Sequence, residues 1–299
     1  MAESNVITTR SLGTAVEGIR DQYADGKAAK LWEIFIGDKK SRTLNYKNFL
    51  VGLLRKKGCR RILDVACGTG YLGCLIIFHI ATPIRPHVQF NTNKIVFEDF
   101  RSNFQSLLFS VIEEANWLTL YDDIEDYLGN GFDAVICLGN SFAHLLDNFG
   151  DQREQMQALR NFEKCVKPGG LLLIDHRNYD DIIDSGSTAT KCIYYNSLHT
   201  TDIRTSVLFV GRKPALVTLD YFIDTSSTEE EKSDTISEFA KSEFRLSYYP
   251  HRLEVFKTML RKAFGENSEY KIYGDFKSLE EVEVPNFYIH VVEKSDMEF

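Results

Sequence analysis

The sequence predicts an α/β fold built on a mostly parallel sheet with a small antiparallel β insert. Three observations predict it. Apolar strands alternate with helical stretches between residues 61 and 177, the first of these strands ends in a glycine turn, and β-rich runs follow Arg177 with no helix between them. The 299 residues exceed one average domain yet fit a single α/β core with an elaboration.

In chain order, residues 14 to 56 carry Leu, Trp, Ile, Phe and Tyr at helical spacing, and predict helices that precede the sheet. Arg61 to Ala66 is a short buried-strand pattern that ends at Cys67-Gly68-Thr69-Gly70, before an apolar run able to start a helix. Phe132 to Leu138 and Leu171 to Asp175 are two more apolar strands, separated by a helical stretch from Gln152 to Val166 and a Lys-Pro-Gly-Gly turn. Beyond Arg177, Ile193 to Tyr195, Thr205 to Val210, Ala215 to Ile223 and Phe244 to Tyr249 read as antiparallel strands. Asp224 to Ser242 is acidic enough to be an exposed loop, Leu253 to Phe264 a helix and Phe287 to Val292 a last strand.

With 43% hydrophobic and 26% charged residues and six prolines, the chain has the composition of a soluble globular protein. A net charge of −8 and a pI near 5.5 argue against nucleic acid as the partner and favour a small or neutral substrate. The six cysteines (Cys59, Cys67, Cys74, Cys137, Cys165, Cys192) form no Cys-x-x-Cys pair, which predicts free thiols in a reducing compartment. The N-terminal residues lack the apolar core of a signal peptide, and the longest apolar run, Leu72 to Ala81, is about half a membrane span. A cytosolic protein with neither a membrane partner nor a metal is expected.

In an open parallel sheet, ligands sit beyond the carboxyl ends of the strands, where a glycine turn lets the backbone approach a cofactor. Dehydrogenases use a related turn and plain βα loops also contain glycine, so Gly-x-Gly alone discriminates little. Here the run is Asp-Val-Ala-Cys-Gly-Thr-Gly, with an acid in the strand end and only two glycines. It resembles motif I of the class I methyltransferases, Rossmann-like enzymes that bind S-adenosylmethionine (AdoMet). Glu113 to Trp117 and the loop Leu138-Gly139-Asn140-Ser141 follow at the next strand ends, although Asn116 or Trp117 taken singly is more often a packing residue.

Longer runs narrow the resemblance. EEANW at 113 to 117, ICLGNSFAHL at 136 to 145, IDHRNYD at 174 to 180, VTLDY at 217 to 221 and FRLSYYPH at 244 to 251 resemble the glycine N-methyltransferase family. RSLG at 10 to 13, DQYADG at 21 to 26 and SRT at 41 to 43 do the same. The resemblance implies methyl transfer from AdoMet to the amine of glycine, giving sarcosine. It divides the chain into an N-terminal arm and cap (1–45), an AdoMet-binding core (46–177), an antiparallel substrate insert (178–243) and a C-terminal completion of the core (244–299).

Glycine offers one carboxylate and one amine, so its site needs a bidentate cation and neutral oxygen acceptors. The resemblance makes Arg177 the carboxylate clamp; a structural ion pair with Asp175 or Asp180 is the alternative. It puts Asn140 on the opposite loop and Tyr195, Tyr221 and Tyr248 around the methyl-transfer centre. Tyr23, Trp32 and Arg42 match positions at the methionine end of AdoMet, and Ala66, Asn116, Trp117, Leu138 and His144 match positions near its adenosine. Glu17 matches an arm residue that closes a neighbouring subunit's site, which implies a homotetramer, and inhibition by reduced folate is implied at the subunit interface. Phe35 stands where the family usually has tyrosine, and the first seven residues depart from its usual start.

Between Gly70 and Val111 the pattern breaks. Class I enzymes end the second strand in an acid that binds the ribose, roughly 20 residues past the glycine loop. This chain reads Ile84-Arg85-Pro86-His87-Val88-Gln89-Phe90-Asn91 there, with no acid. Lys94 to Glu98 is an alternative strand, with Glu98 as candidate ribose ligand. The segment reads either as a divergent βα unit or as translated non-coding sequence. A homologue that binds AdoMet or folate without turnover, and a methyltransferase for another small amine, are therefore the competing functions.

Overall fold

The computed structural model describes residues 4–8, 44–66, 87–90, 110–113, 115–195, 197–224 and 241–296. The chain forms two compact units, one of Met1–Leu44 with Asn178–Pro250, the other of Asn45–Arg177 with His251–Phe299.

The larger unit holds β2 (Ile62–Asp64), β3 (His87–Phe90), β4 (Ser110–Glu113), β5 (Phe132–Cys137), β6 (Val166–Arg177), β10 (Glu269–Gly274), β11 (Lys277–Ser278) and β12 (Phe287–Glu293). They form one sheet in the order β11-β10-β12-β6-β5-β2-β3-β4. From β6 to β4 every pairing is parallel, while β12, β10 and β11 add antiparallel edges. On the side away from β5, β2 pairs with His87–Phe90, with Leu63 opposite Val88, while Lys94 to Glu98 lies outside the described residues. Parallel strands are covered on both faces, which is why β5 and β6 read as continuous apolar runs.

Strand alternation divides that apolar content between two layers. On one face Leu63, Val135, Cys137, Leu172 and Ile174 pack with Leu159 and Phe162 of the helix Arg153–Cys165 and with Phe256, Met259 and Leu260 of the helix Leu253–Phe264. The second helix buries Phe256, Met259, Leu260 and Phe264 at i, i+3, i+4 and i+8, and carries Arg261 and Lys262 in its last turn, where the helix dipole favours cations. Truncating a fully buried phenylalanine such as Phe256 costs about 3–5 kcal/mol. In this unit's other layer, Tyr46 and Phe49 of the helix Leu44–Lys56 meet Phe276 and Tyr273 edge-on or tilted.

The expected Lys-Pro-Gly-Gly turn is instead part of β6, where the pairing with β5 shifts register between Phe132 and Ala134. Gly169 takes a φ of 68°, and a β-carbon on Gly170 would stand 2.9 Å from the Lys167 carbonyl oxygen. The glycines thus make a kink in the strand rather than ending it. Strand β10, Glu-Tyr-Lys-Ile-Tyr-Gly, is half polar and has no apolar run to announce it.

In the smaller unit, β1 (Ser4–Thr8), β7 (Thr200–Val210), β8 (Lys213–Asp224) and β9 (Lys241–Tyr248) form an antiparallel sheet in that order. Ile203, Thr205, Val207, Val217, Leu219, Tyr221, Phe244, Leu246 and Tyr248 share its buried face. The helix Tyr179–Ser185 precedes the sheet, with Asn178 as its N-cap accepting from the Asp181 amide at 3.1 Å. Ile193 to Tyr195, expected as a strand, is a bend: the Cys192 amide donates to the Tyr195 carbonyl at 2.8 Å, too local a closure for a ladder. Residues 225–240 of the expected acidic loop lie outside the described residues, while its ends pair as Asp224 with Lys241 and Ile223 with Ser242.

Among the described residues, no helix is long and apolar enough to cross a membrane, and no cluster of His, Cys, Asp and Glu fits a metal ion.

Candidate active site

The carboxyl ends of β2, β5 and β6 lie side by side in the sheet. At the end of β2, Asp64 is buried; its Oδ1 accepts the Ala66 amide at 3.0 Å, and its Oδ2 has no hydrogen-bond partner among the described residues. Burial pushes this carboxyl up to about 7, an effect that the Ala66 amide only partly offsets. A buried acceptor without a donor fits a site completed by a ligand's N–H, O–H or positive charge. AdoMet carries an ammonium and a sulfonium, so the residues present fit it.

Trp117 stands beside this strand end. Its indole N–H donates to the Val65 carbonyl at 2.8 Å, and its ring stacks on Phe142 with centroids 5.7 Å apart. Trp117 is thus packed against the core, as is Ala66 at the end of the same strand. Asn116 is exposed; its Oδ1 accepts the Leu118 amide and its own amide donates to Asp123, both at 3.0 Å, so the loop is braced locally.

After β5 the chain turns through two left-handed residues, Gly139 at φ 82° and Asn140 at φ 63°. This turn aims two successive amides at the carboxylate of Asp175: Asn140 N–H reaches Oδ1 at 2.8 Å and Gly139 N–H reaches Oδ2 at 3.1 Å. Asn140 returns the link, its Oδ1 accepting the Arg177 amide at 3.0 Å. Asp175 and Arg177 share a face of β6 by strand alternation, so one carboxylate and one amide tie the β5 loop to the last two turns of the pleat. Arg177 is 2% exposed, with its guanidinium carbon 5.1 Å from the centre of the Phe287 ring. The arrangement holds a pre-organised, largely desolvated cation at a strand end.

Leu138, buried, accepts the Ser141 hydroxyl through its carbonyl at 2.9 Å. Four residues after Asn140, His144 ends the short helix Ser141–His144. Burial, and then the charge of Arg177, push its imidazole down to about 4, so it is neutral near pH 7.

The three expected tyrosines belong to the smaller unit and are buried. The hydroxyls of Tyr221 and Tyr248 are hydrogen-bonded to each other at 2.9 Å, and the Tyr221 ring stacks on Phe244 at 4.6 Å. Tyr195 is turned to the Ala189 carbonyl at 2.9 Å. The structure therefore joins two of the three and holds Tyr195 by a separate local bond.

Glu17, Tyr23, Trp32, Phe35, Arg42 and Glu98 lie outside the described residues. The sequence names Asp175 only as an alternative ion-pair partner of Arg177; its position two residues before Arg177 on a strand is the signal for the shared face that makes it the brace. The orphaned oxygen of Asp64 had no such signal, because burial is a property of the assembled sheet.

No family model matches the chain. Two relatives are similar along nearly all of it. The glycine N-methyltransferase of Mus musculus is 48% identical over 297 residues, 98% of this chain and 99% of the relative. That of Rattus norvegicus is 47% identical over 296 residues, 97% and 99% of the two chains. Among solved structures, the CcbJ methyltransferase from Streptomyces caelestis superposes with a TM-score of 0.62 at 13% identity, covering 93% of this chain and 100% of that one, a likeness of fold.

Proposed function

Because the chain belongs to the glycine N-methyltransferase family, we propose that it transfers a methyl group from AdoMet to the amine of glycine, releasing sarcosine and S-adenosylhomocysteine. The observation that carries this reading is the brace from Asp175 through Asn140 to Arg177, which holds a buried guanidinium at the strand end. AdoMet supplies an electrophilic methyl carbon: as the amine lone pair forms the C–N bond, the C–S pair returns to sulfur. Such an in-line displacement needs placement more than a nucleophilic side chain. Arg177 binds the glycine carboxylate, Asn140 holds the substrate, the family resemblance assigns Tyr195, Tyr221 and Tyr248 to the methyl-transfer centre, and the amine's proton leaves to water. Ala66, Asn116, Trp117, Leu138 and His144 line the adenosine, while Tyr23, Trp32 and Arg42 hold the methionine end.

The resemblance further supports a cytosolic homotetramer, with Glu17 reaching a neighbouring site and reduced folate as inhibitor. Sedimentation of the purified protein and a folate titration of its activity test these two points. The decisive assay is labelled AdoMet with glycine, where no glycine-dependent product at saturating AdoMet would sink the reading.

One observation favours a second reading. The strand paired with β2 is His87–Phe90, and residues 84–91 contain no acid for the ribose. Losing a charge-assisted hydrogen bond of about 1.5–3 kcal/mol weakens AdoMet binding about ten- to a hundredfold. On this reading the chain binds its ligands without turnover, and calorimetry beside the assay separates the two.

A further inference from the structure

On the face of β6 opposite Arg177, three histidines are buried together. His176 and His290 are 0% exposed and His251 1%. The rings of His176 and His290 stack with centroids 4.9 Å apart and an interplanar angle of 27°, and His251 lies 6.1 Å from His176. Phe256 sits at 4.9 to 5.0 Å from all three. His176 and His290 come from adjacent strands, since β6 and β12 pair with His176 opposite Tyr288.

Two hydrogen bonds hold the rings, and one of them fixes a proton. His176 Nδ1 lies 2.7 Å from the Arg177 carbonyl oxygen, which can only accept, so Nδ1 carries the hydrogen. Tyr270, on β10, is hydrogen-bonded to His290 Nδ1. Burial, followed by the charge of neighbouring imidazoles, pushes His290 well below the ordinary histidine range, so its ring is neutral and its tautomer sets which partner of this bond donates. Also acting on this cluster are the Phe142 backbone, hydrogen-bonded to His251, and from the helix Leu253–Phe264 Lys257 on His290 and Arg261 and Glu254 on Tyr270.

Arg177 is the last residue of β6. Its amide is held by Asn140 and its carbonyl by His176. Both backbone groups of the arginine are thus clamped by side chains, at the point where the strand ends. We propose that His176 is a positioning residue for Arg177: its Nδ1–H fixes the arginine's peptide carbonyl, while the stack on His290, anchored by Tyr270, holds the imidazole plane. This rests on the reading of Arg177 as the carboxylate clamp.

The test is a set of variants assayed for glycine KM, kcat and AdoMet Kd. His176→Phe keeps a ring in the stack and deletes the donor, and the glycine KM is expected to rise about tenfold with AdoMet Kd unchanged. His176→Asn sets an amide N–H near the position of Nδ1 and recovers most of that loss, whereas His176→Gln, which reaches further, does not. Tyr270→Phe removes a single hydroxyl at the far end of the chain of contacts and raises the glycine KM about two- to threefold; it decides the matter if the His176 variants fail to fold. An unchanged glycine KM in His176→Phe, or equal losses in glycine and AdoMet binding with no advantage for asparagine over glutamine, overturns the proposal. Arg177→Lys is measured alongside. If it leaves the glycine KM unchanged, the clamp reading falls. If it raises the KM while His176→Phe does not, only the positioning role falls.

Discussion

Asn140 accepts the Arg177 amide on its side-chain oxygen at 3.0 Å, while its own amide donates to Asp175, two residues earlier on the same strand, at 2.8 Å. The pair closes a loop between the ends of β5 and β6, and this closure sets the direction of Arg177.

Replacing Arg177 with alanine removes a charged, bidentate partner for a carboxylate. The glycine KM is expected to rise about ten- to a hundredfold, the equivalent of about 1.5–3 kcal/mol, with AdoMet Kd nearly constant. Steady-state kinetics with calorimetry checks this, and equal effects on both ligands contradict the clamp.

Asn140 has two properties that separate cleanly. Asn140→Gly keeps the left-handed backbone and deletes the acceptor, leaving the Arg177 amide without it, at a cost of about 1–3 kcal/mol. Asn140→Ala adds roughly 1 kcal/mol of strain at a φ of 63°. Denaturant midpoints should therefore rank wild type above glycine and glycine above alanine.

The Asp64 carboxyl titrates at about 7 in the folded chain, against an ordinary value of 3.8. Its folded value is raised, so its contribution to stability is fully present below about 4 and is lost as pH rises through 7. Without AdoMet, Asp64→Asn is expected to melt higher than wild type above pH 7 and no higher at pH 4. Its AdoMet Kd is expected to be weaker. Thermal melts across that range, with and without AdoMet, are the check.

His144 has the opposite sign. Its folded value is about 4, below the ordinary 6.5, so folding is undisturbed by this group above 6.5. Between pH 6.5 and 4 the unfolded chain takes up the proton first, and stability falls by about 1.4 kcal/mol per pH unit. His144→Gln should flatten that slope by one proton in denaturation curves measured at several pH values.

Tyr221 and Tyr248 share one buried hydrogen bond. A double-mutant cycle with Tyr221→Phe and Tyr248→Phe should give a coupling of about 0.5–1.5 kcal/mol in urea denaturation. A coupling near zero would mean that the two hydroxyls do not depend on each other.

Local elements are legible in the chain's own residues. Leu253 to Phe264 is a helix over the predicted residues, because its apolar positions recur at helical spacing. Phe287 to Val292 is a strand within β12, because Phe287, Ile289 and Val291 fill one face and Tyr288 and Val292 flank His290 on the other. Sequence also supplied the residue types of the site, since Arg177 and Asn140 stand in long motifs at strand ends. How those residues are held depends on contacts between distant parts of the chain. The Asn140 to Arg177 link spans 37 residues and the Tyr270 to His290 bond spans 20, and no local periodicity encodes which distant groups meet. The same holds for the kink that keeps Lys-Pro-Gly-Gly inside β6, which the register with β5 imposes. Burial likewise belongs to the folded sheet: it raises Asp64 and lowers His144 because water is excluded by residues far away in the chain.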